Sequence, residues 1–299
     1  MSLVRDVFSG LARNETLGPL VAGSPLGRGL VERIAGGDGP QEVMAAVEEL
    51  TDSGRFVALE RAWSAQDDPA TVIADYEAVV ALLAASGLGS VAEVVVSATL
   101  LQLPRGVEAF AELCAQAQDC RVAVMVAPQD EDQVDLAIAA VARQQVLGRD
   151  TGIVLPAALR RTERDCSALT GRVRIVKGTA GDDPRRFGHA IEVDKSFIRC
   201  AKALLARGDA VQPSFATHDG RLIEIIQTLA GRYHRDRLQM EFALYLGRSG
   251  GTQQRLVDAG EQVRVYVPFG PQWFGRLVGG LDDRPAGLGA AVRSLLPGA

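Results

Sequence analysis

Three short apolar runs between residues 121 and 176 decide how this chain can fold: RVAVMV at 121–126, GIVL at 152–155 and RVRIV at 172–176. Each run is rich in valine or isoleucine and is bounded by polar residues or glycine, which is typical of strands buried on both faces of a parallel sheet. The stretches between them are longer and place apolar residues at helical spacing. The segment therefore predicts repeated strand–helix units.

The same alternation continues along nearly the whole chain. Five more β-rich runs have the same character, at 55–60, 92–97, 210–215, 238–242 and 262–267. Amphipathic helical patterns separate the runs, at 69–86, 131–147, 187–207, 220–231, 252–260 and 272–281. Strict alternation predicts an α/β fold with a parallel sheet, and a count of eight strands favours closure into a (β/α)8 TIM-like barrel. No G-x-G-x-x-G follows the first strand, which weakens a dinucleotide-binding sheet as the alternative.

Composition sets limits on the class of protein. The chain has 299 residues, of which 47% are hydrophobic, so it can bury a full core and is not a disordered chain. Its net charge of −5 and its 5% aromatic content argue against a nucleic-acid partner. Residues before position 40 are helical and glycine-rich, so we expect an N-terminal helical arm at 1–40 packed on a barrel at 41–299.

Cysteine use and hydropathy bear on the compartment. The four cysteines show no metal-ligand spacing, so we expect no metal site and a reducing environment. The first residues carry charges without a secretion-type apolar stretch, and the longest apolar runs are far too short to cross a bilayer. We therefore expect a cytoplasmic protein, and peripheral contact with the inner face of a membrane stays open.

In such a barrel the functional side chains follow the strands, at the carboxyl-terminal mouth. Arg174 and Lys177 stand at the end of the fifth strand run, and Gly178 beside them lets backbone approach a ligand closely. Such a pair of cations suits a phosphate or an electron-rich ring. The alternative is two solvated cations at the rim.

The sixth strand run ends in Ala216-Thr217-His218-Asp219. Thr217 or Asp219 can cap the next helix, whose N-terminal amides would then face an anion or a ribose. His218 is a candidate base without a visible partner. Helix capping alone explains much of this motif.

Glu241 stands at the exit of the seventh strand run and Tyr245 follows it, and a carboxylate at the exit of an apolar strand needs a partner. The alternative to a functional role for Glu241 is a salt bridge inside the mouth to Arg174 or Lys177. In the eighth run and its loop, Tyr266 and Trp273 can line a pocket for a flat ligand, although a core or lid role is equally open to both.

Taken in order, these four motifs resemble the proline dehydrogenase family. The similarity rests on RIVKG at 174–178, ATHD at 216–219, EFALYLG at 241–247 and VYVPFGPQW at 265–273. It implies a distorted (β/α)8 barrel that holds FAD without a dinucleotide-binding domain. It also implies hydride transfer from the carbon next to a secondary amine to flavin N5, an imine product, and a quinone as electron acceptor.

The resemblance implies a role for each motif residue. Arg174 would lie beside the flavin ring, and Glu241 would support the cofactor pocket. Lys177 and Gly178 would approach the FAD phosphates or the ribityl chain. The adenosine end would lie near three neighbours in the sixth-strand motif, Thr217, His218 and Asp219.

The chain departs from the family where the substrate should bind. The two arginines that clamp the proline carboxylate in the family fall on Gly279 and Gly280, and glycine cannot make a bidentate contact with a carboxylate. Arg276 stands at a tyrosine of the family. Four further positions lose a side chain of the family's active site: Val95, Ala127, Pro156 and Ala180. The cofactor half of the pattern is thus largely kept and the substrate half largely replaced.

Three functions follow as hypotheses. The first is a flavoenzyme that oxidises a proline-like or larger amine instead of free L-proline, with a small-molecule amine site lined by Ser97, Tyr245, Tyr266, Trp273 and Arg276. The second is an ordinary proline dehydrogenase that forms 1-pyrroline-5-carboxylate. The third is a barrel that keeps the fold without catalysis.

Overall fold

The computed structural model describes residues 36–63, 67–128, 130–247 and 249–271. The expected arm at 1–40 lies almost entirely outside these residues, so the division into an arm and a barrel stays a prediction. The expected helix at 272–281 lies outside them as well, and so do Trp273 and Arg276.

Eight parallel strands close into a barrel in sequence order, β1 to β8, with β8 pairing β1. The predicted (β/α)8 architecture is therefore confirmed. The strands are β1 Phe56–Arg61, β2 Ala92–Ser97, β3 Ala123–Ala127, β4 Thr151–Pro156, β5 Gly171–Val176, β6 Val211–Ala216, β7 Glu241–Tyr245 and β8 Gln262–Phe269.

Eight α-helices accompany these strands within the described residues, one before each strand. They are α1 Pro40–Asp52, α2 Pro69–Ala85, α3 Gly106–Asp119, α4 Val134–Val146, α5 Thr162–Ala168, α6 Ala190–Leu205, α7 Gly220–Arg232 and α8 Gly250–Asp258. Local chemistry sets their ends. In α2, Pro69 occupies the first turn while the Asp68 side chain accepts hydrogen bonds from the backbone N–H groups of Ala70 and Thr71.

The core has two parts because alternate strand residues point to opposite faces. The larger part lies between strands and helices, and includes Val94 and Val96 of β2. Val95, between them, points into the barrel. There it packs with three other buried residues, Ala58, Met125 and Val154, against which Ala127, Val176 and Tyr266 also lie. We call these seven residues the apolar lining.

The seventh strand begins later than the sequence predicts. The run at 238–242 is apolar, yet Arg237–Gln239 forms a short 3-10 turn in which the Asp236 carboxylate accepts a hydrogen bond from the Leu238 N–H. The strand therefore starts at Glu241. As a result, Glu241 lies at the entrance of β7 and not at its exit, which corrects the position expected from the sequence.

None of the helices in the described ranges combines the length and the apolar character that crossing a bilayer requires. Across the same residues, no three His, Cys, Asp or Glu side chains form a group that could hold a metal ion.

Candidate functional site

The predicted site residues divide between the rim of the barrel and its interior. Ser97 and Tyr245 are the last residues of β2 and β7, and Lys177 directly follows β5. Thr217 and His218 directly follow β6. These five residues lie at the carboxyl-terminal mouth, as the count of eight alternating strands and helices predicts.

Arg174 and Glu241 do not lie at the rim, in contrast to the expectation from the sequence. Arg174 is in the middle of β5, two residues before Val176 of the apolar lining, and only 4% of it is exposed. Glu241 is 6% exposed. Both side chains point into the barrel because alternate strand residues share a face.

Inside the barrel these two residues belong to a larger ionic arrangement. It consists of Glu93 on β2, Arg174 on β5, Ser214 on β6, Glu241 on β7 and Arg264 on β8, all of them buried. We call these five residues the interior charge cluster. Sequence analysis missed Glu93, Ser214 and Arg264, although a charged residue within an apolar strand run, as in AEVVVS or QVRVYV, is a signal that could have identified Glu93 and Arg264.

The guanidinium of Arg174 uses all three of its nitrogens in this cluster. Its Nε donates to Ser214 Oγ at 2.9 Å and its Nη2 to Glu241 Oε1 at 2.9 Å. Its Nη1 lies 2.5 Å from Glu93 Oε1. A guanidinium carries five N–H groups, and these contacts engage one on each of the three nitrogens. The predicted salt bridge between Glu241 and Arg174 is thus present, but deep in the barrel.

Arg264 completes the cluster. Its Nε donates to Glu241 Oε2 at 2.9 Å and lies 3.4 Å from Glu93 Oε2, while its Nη1 donates to the Val57 carbonyl at 2.8 Å. Two arginines and two glutamates therefore balance each other. Burial acts to raise the pKa of the Glu241 carboxyl, but Arg264 and Arg174 outweigh it and hold this pKa at about 2.

The low pKa of Glu241 predicts a pH-dependent stability. Because the folded pKa lies below the ordinary value of 4.5, the carboxylate stabilises the fold above that pH, and this contribution disappears as the pH falls towards about 2. We expect the urea midpoint of unfolding to decrease over this range. A Glu241→Gln variant, measured in parallel, should show a shallower decrease, and equal slopes would contradict the assignment.

Three rings form an aromatic group at the mouth, composed of His218, Tyr245 and Tyr266. The His218 and Tyr245 rings are nearly parallel, with centroids 5.9 Å apart, and Tyr266 meets Tyr245 edge-on at 4.8 Å. His218 Nε2 accepts a hydrogen bond from the Tyr245 backbone N–H at 3.3 Å. A neutral His218 therefore carries its proton on Nδ1. Such rings offer a flat surface at the ends of β6 and β7.

At the end of β5, Lys177 forms an ion pair with Asp194 of α6. Gly178, the next residue, has a φ of +69°, and a Cβ there would lie 2.8 Å from Pro156 Cβ. The Ala158 N–H donates to the Lys177 carbonyl at 2.9 Å, which ties the exits of β4 and β5 together. Glycine is thus required by the geometry at this position.

The sixth-strand motif serves the start of α7. The Asp219 carboxylate accepts a hydrogen bond from the Arg221 N–H at 3.1 Å, and Thr217 Oγ1 accepts one from the Asp219 N–H at 3.1 Å. Helix capping, which the sequence left open, is therefore one role of this motif. It holds His218, which lies between the two, against Tyr245.

Comparison with known proteins agrees with this geometry. A family model described as "Proline dehydrogenase" matches residues 186–273. Proline dehydrogenase 2 of Bacillus subtilis is 30% identical over 146 residues, which is 48% of this chain and 48% of the relative. Proline dehydrogenase 1 of Bacillus subtilis subsp. natto is 24% identical, over 98% of this chain and 99% of the relative. The first of these matches thus spans about half the length of the curated relative.

Two solved structures of proline utilization A share the fold. The protein from Bdellovibrio bacteriovorus superposes with a TM-score of 0.76 at 18% identity, over 88% of this chain and 33% of the other. The protein from Corynebacterium freiburgense gives 0.68 at 15% identity, over 95% of this chain and 35% of the other. At such identities the likeness bears on the fold alone. Together with the matches in sequence, it shows that the chain is similar to proline dehydrogenases and shares the barrel fold of proline utilization A.

Proposed function

We propose that the chain is an FAD-dependent oxidoreductase that acts on an amine at the mouth of the barrel. The main support is that the motif residues at the ends of β5, β6 and β7 converge on one rim, directly above the buried Arg174. The relatives that match in sequence are named as proline dehydrogenases. FAD, when bound, would supply the acceptor for a hydride from the carbon beside the amine nitrogen.

The donor set at the mouth fits this cofactor. A flavin needs a flat surface and a polar partner, which the aromatic group and the guanidinium of Arg174 offer. A pyrophosphate needs a cation and open backbone, which Lys177 and Gly178 offer. Asp194 would then share Lys177 with the phosphates.

Each motif residue has a task in this proposal. Arg174, from beneath the ring, and Lys177 are the two side chains that would touch the cofactor directly. Thr217 and Asp219 orient the start of α7 and place His218 towards the adenosine end. Glu241 acts from below, since its carboxylate fixes the Nη2 end of Arg174.

The substrate in this proposal is a proline-like or larger amine rather than free L-proline. Val95 and Ala127, at the positions of a lysine and an aspartate in the family, belong to the apolar lining. Among the described residues, the cations nearest this lining already pair with carboxylates, as Arg174 and Lys177 do. An apolar group would therefore fit above the lining better than a carboxylate does. Ser97, Tyr245 and Tyr266 would border this space, and a quinone would accept the electrons.

The proposal predicts a yellow protein whose visible flavin bands bleach without oxygen when the right amine is added. The panel should include L-proline, pyrrolidine, a six-membered imino acid and a bulkier cyclic amine. Because a lost charged contact costs about 2–3 kcal/mol, we expect kcat/KM for L-proline to be about two powers of ten below that of the best amine.

Two other results of these experiments would support the two alternative functions. If L-proline is the best substrate on the panel, the chain is an ordinary proline dehydrogenase, which its similarity over 98% of its length to proline dehydrogenase 1 would fit. If the purified chain is colourless and takes up no FAD after dialysis against it, the barrel is non-catalytic and the proposal is wrong.

A further inference from the structure

Three members of the interior charge cluster, Glu93, Ser214 and Arg264, have no role in the family pattern or in the proposed reaction, and Glu93 is the acidic one among them. It lies on β2, across the barrel from β5, and is 1% exposed. On its strand it is one inward step below Val95, so its carboxylate lies directly beneath the apolar lining.

The carboxylate of Glu93 contacts both arginines of the cluster. Glu93 Oε1 lies 2.5 Å from Arg174 Nη1, and Glu93 Oε2 lies 3.4 Å from Arg264 Nε. The other two nitrogens of Arg174 are held by Ser214 and Glu241. Glu93 thus supplies the only contact in this set that reaches Arg174 from the β2 side of the barrel.

Glu93 also determines the charge of the cluster. Two guanidinium groups and two carboxylates sum to zero, and the interior exposes almost none of them to water. Loss of the Glu93 charge would leave the cluster at +1 directly below the mouth. In so dry a site one uncompensated charge acts strongly on a neighbouring ligand.

We infer that Glu93 is a positioning residue that acts through Arg174 and keeps the electrostatic potential beneath the bound flavin close to neutral. This inference rests on the proposed function, and it assigns to Glu93 the setting of the flavin reduction potential. Neutralising Glu93 should favour the reduced flavin, which carries more negative charge than the oxidised form.

The test is the reduction potential of the FAD-loaded protein, measured by equilibration with a reference dye in the wild type and in a Glu93→Gln variant. We expect the ratio of reduced to oxidised flavin to rise about tenfold at a given dye ratio, which corresponds to about 30 mV for a two-electron couple. Ser214→Ala removes a contact to Arg174 without changing the charge of the cluster. In this variant the ratio of reduced to oxidised flavin should therefore stay within about twofold of the wild-type ratio.

A buried carboxylate outside the cluster provides the matched control. Glu261 is 8% exposed and accepts a hydrogen bond from Gln227 Nε2 at 2.8 Å. Glu261→Gln should leave the potential unchanged. If Glu93→Gln does not fold, Glu93→Asp keeps the charge but withdraws it from Arg174 and Arg264 by one methylene group. The arginines are then less well compensated, so the ratio should shift in the same direction, by about threefold.

The possible failures differ from one another. If the flavin-loaded Glu93→Gln protein has the wild-type reduction potential, the inference on Glu93 is wrong and the proposed function still stands. If only Glu93→Asp folds, a wild-type potential in that variant has the same meaning. An equal shift in Glu261→Gln also overturns it, because the effect would then be non-specific. A wild-type chain that takes up no FAD overturns the proposed function, and this inference with it.

Discussion

Replacement of Glu241 by glutamine should lower the free energy of unfolding by about 3–5 kcal/mol, since it leaves two buried guanidinium groups with a single carboxylate between them. The carboxylate accepts from Arg174 Nη2 on one oxygen and contacts Arg264 Nε with both, at 2.9–3.0 Å. Glutamine keeps the shape and one acceptor but not the charge. Urea unfolding followed by circular dichroism, on protein with and without added FAD, would measure the loss.

An exposed ion pair on the barrel exterior is the matched control for this change. Glu163 accepts from Arg199 Nε at 2.7 Å, with the two side chains 47% and 40% exposed. Glu163→Gln should change the stability by less than about 1 kcal/mol, because water screens such a pair. A double change, Glu241→Gln with Arg264→Met, should recover part of the stability by restoring neutrality. If Glu241→Gln and Glu163→Gln lowered the free energy of unfolding by the same amount, the interior charge cluster would contribute no more to stability than an exposed ion pair, and this prediction would be wrong.

The barrel itself could be predicted from the sequence because its strands carry a local signal. A strand covered on both faces, such as Ala92–Ser97, is apolar throughout, and a closed parallel barrel requires helices between such strands. The register of β7 could not be predicted. Leu238 and Met240 are as apolar as strand residues, yet a cap by Asp236 takes this segment into a turn.

The interior charge cluster could not be predicted from the sequence for a different reason. Arg174 and Glu241 are 67 residues apart in the chain, and contacts at such separation depend on closure of the barrel rather than on any local pattern. Within one strand, alternation can place Glu93 and Val95 on the same face. Only the closed barrel shows that this face of β2 lies opposite Arg174. The residues at the mouth could be predicted, because the carboxyl ends of all strands in a parallel barrel lie at one rim.

Replacement of Gly178 by valine should weaken FAD binding by at least about 100-fold. The backbone at Gly178 has a φ of +69°, where a β-branched residue is strained by about 1–3 kcal/mol. A Cβ would also lie 2.8 Å from Pro156 Cβ and 3.2 Å from Ala158 Cβ, and overpacking of this kind costs about 1–3 kcal/mol more. The exit of β5 can relieve this strain only by moving, and Lys177 moves with it.

A second glycine on the same loop separates this effect from general damage to the fold. Gly181 has no heavy atom within 4 Å of an added Cβ and no left-handed φ, so Gly181→Val should bind FAD as the wild type does. Titration of apoprotein with FAD, followed by flavin fluorescence, measures both variants, and each factor of ten in the dissociation constant corresponds to about 1.4 kcal/mol. Equal affinities for the two variants would mean that the Lys177–Gly178 corner does not contact the cofactor. Weak binding by Gly178→Val alone, with an intact circular dichroism spectrum, would place the cofactor at the exit of β5.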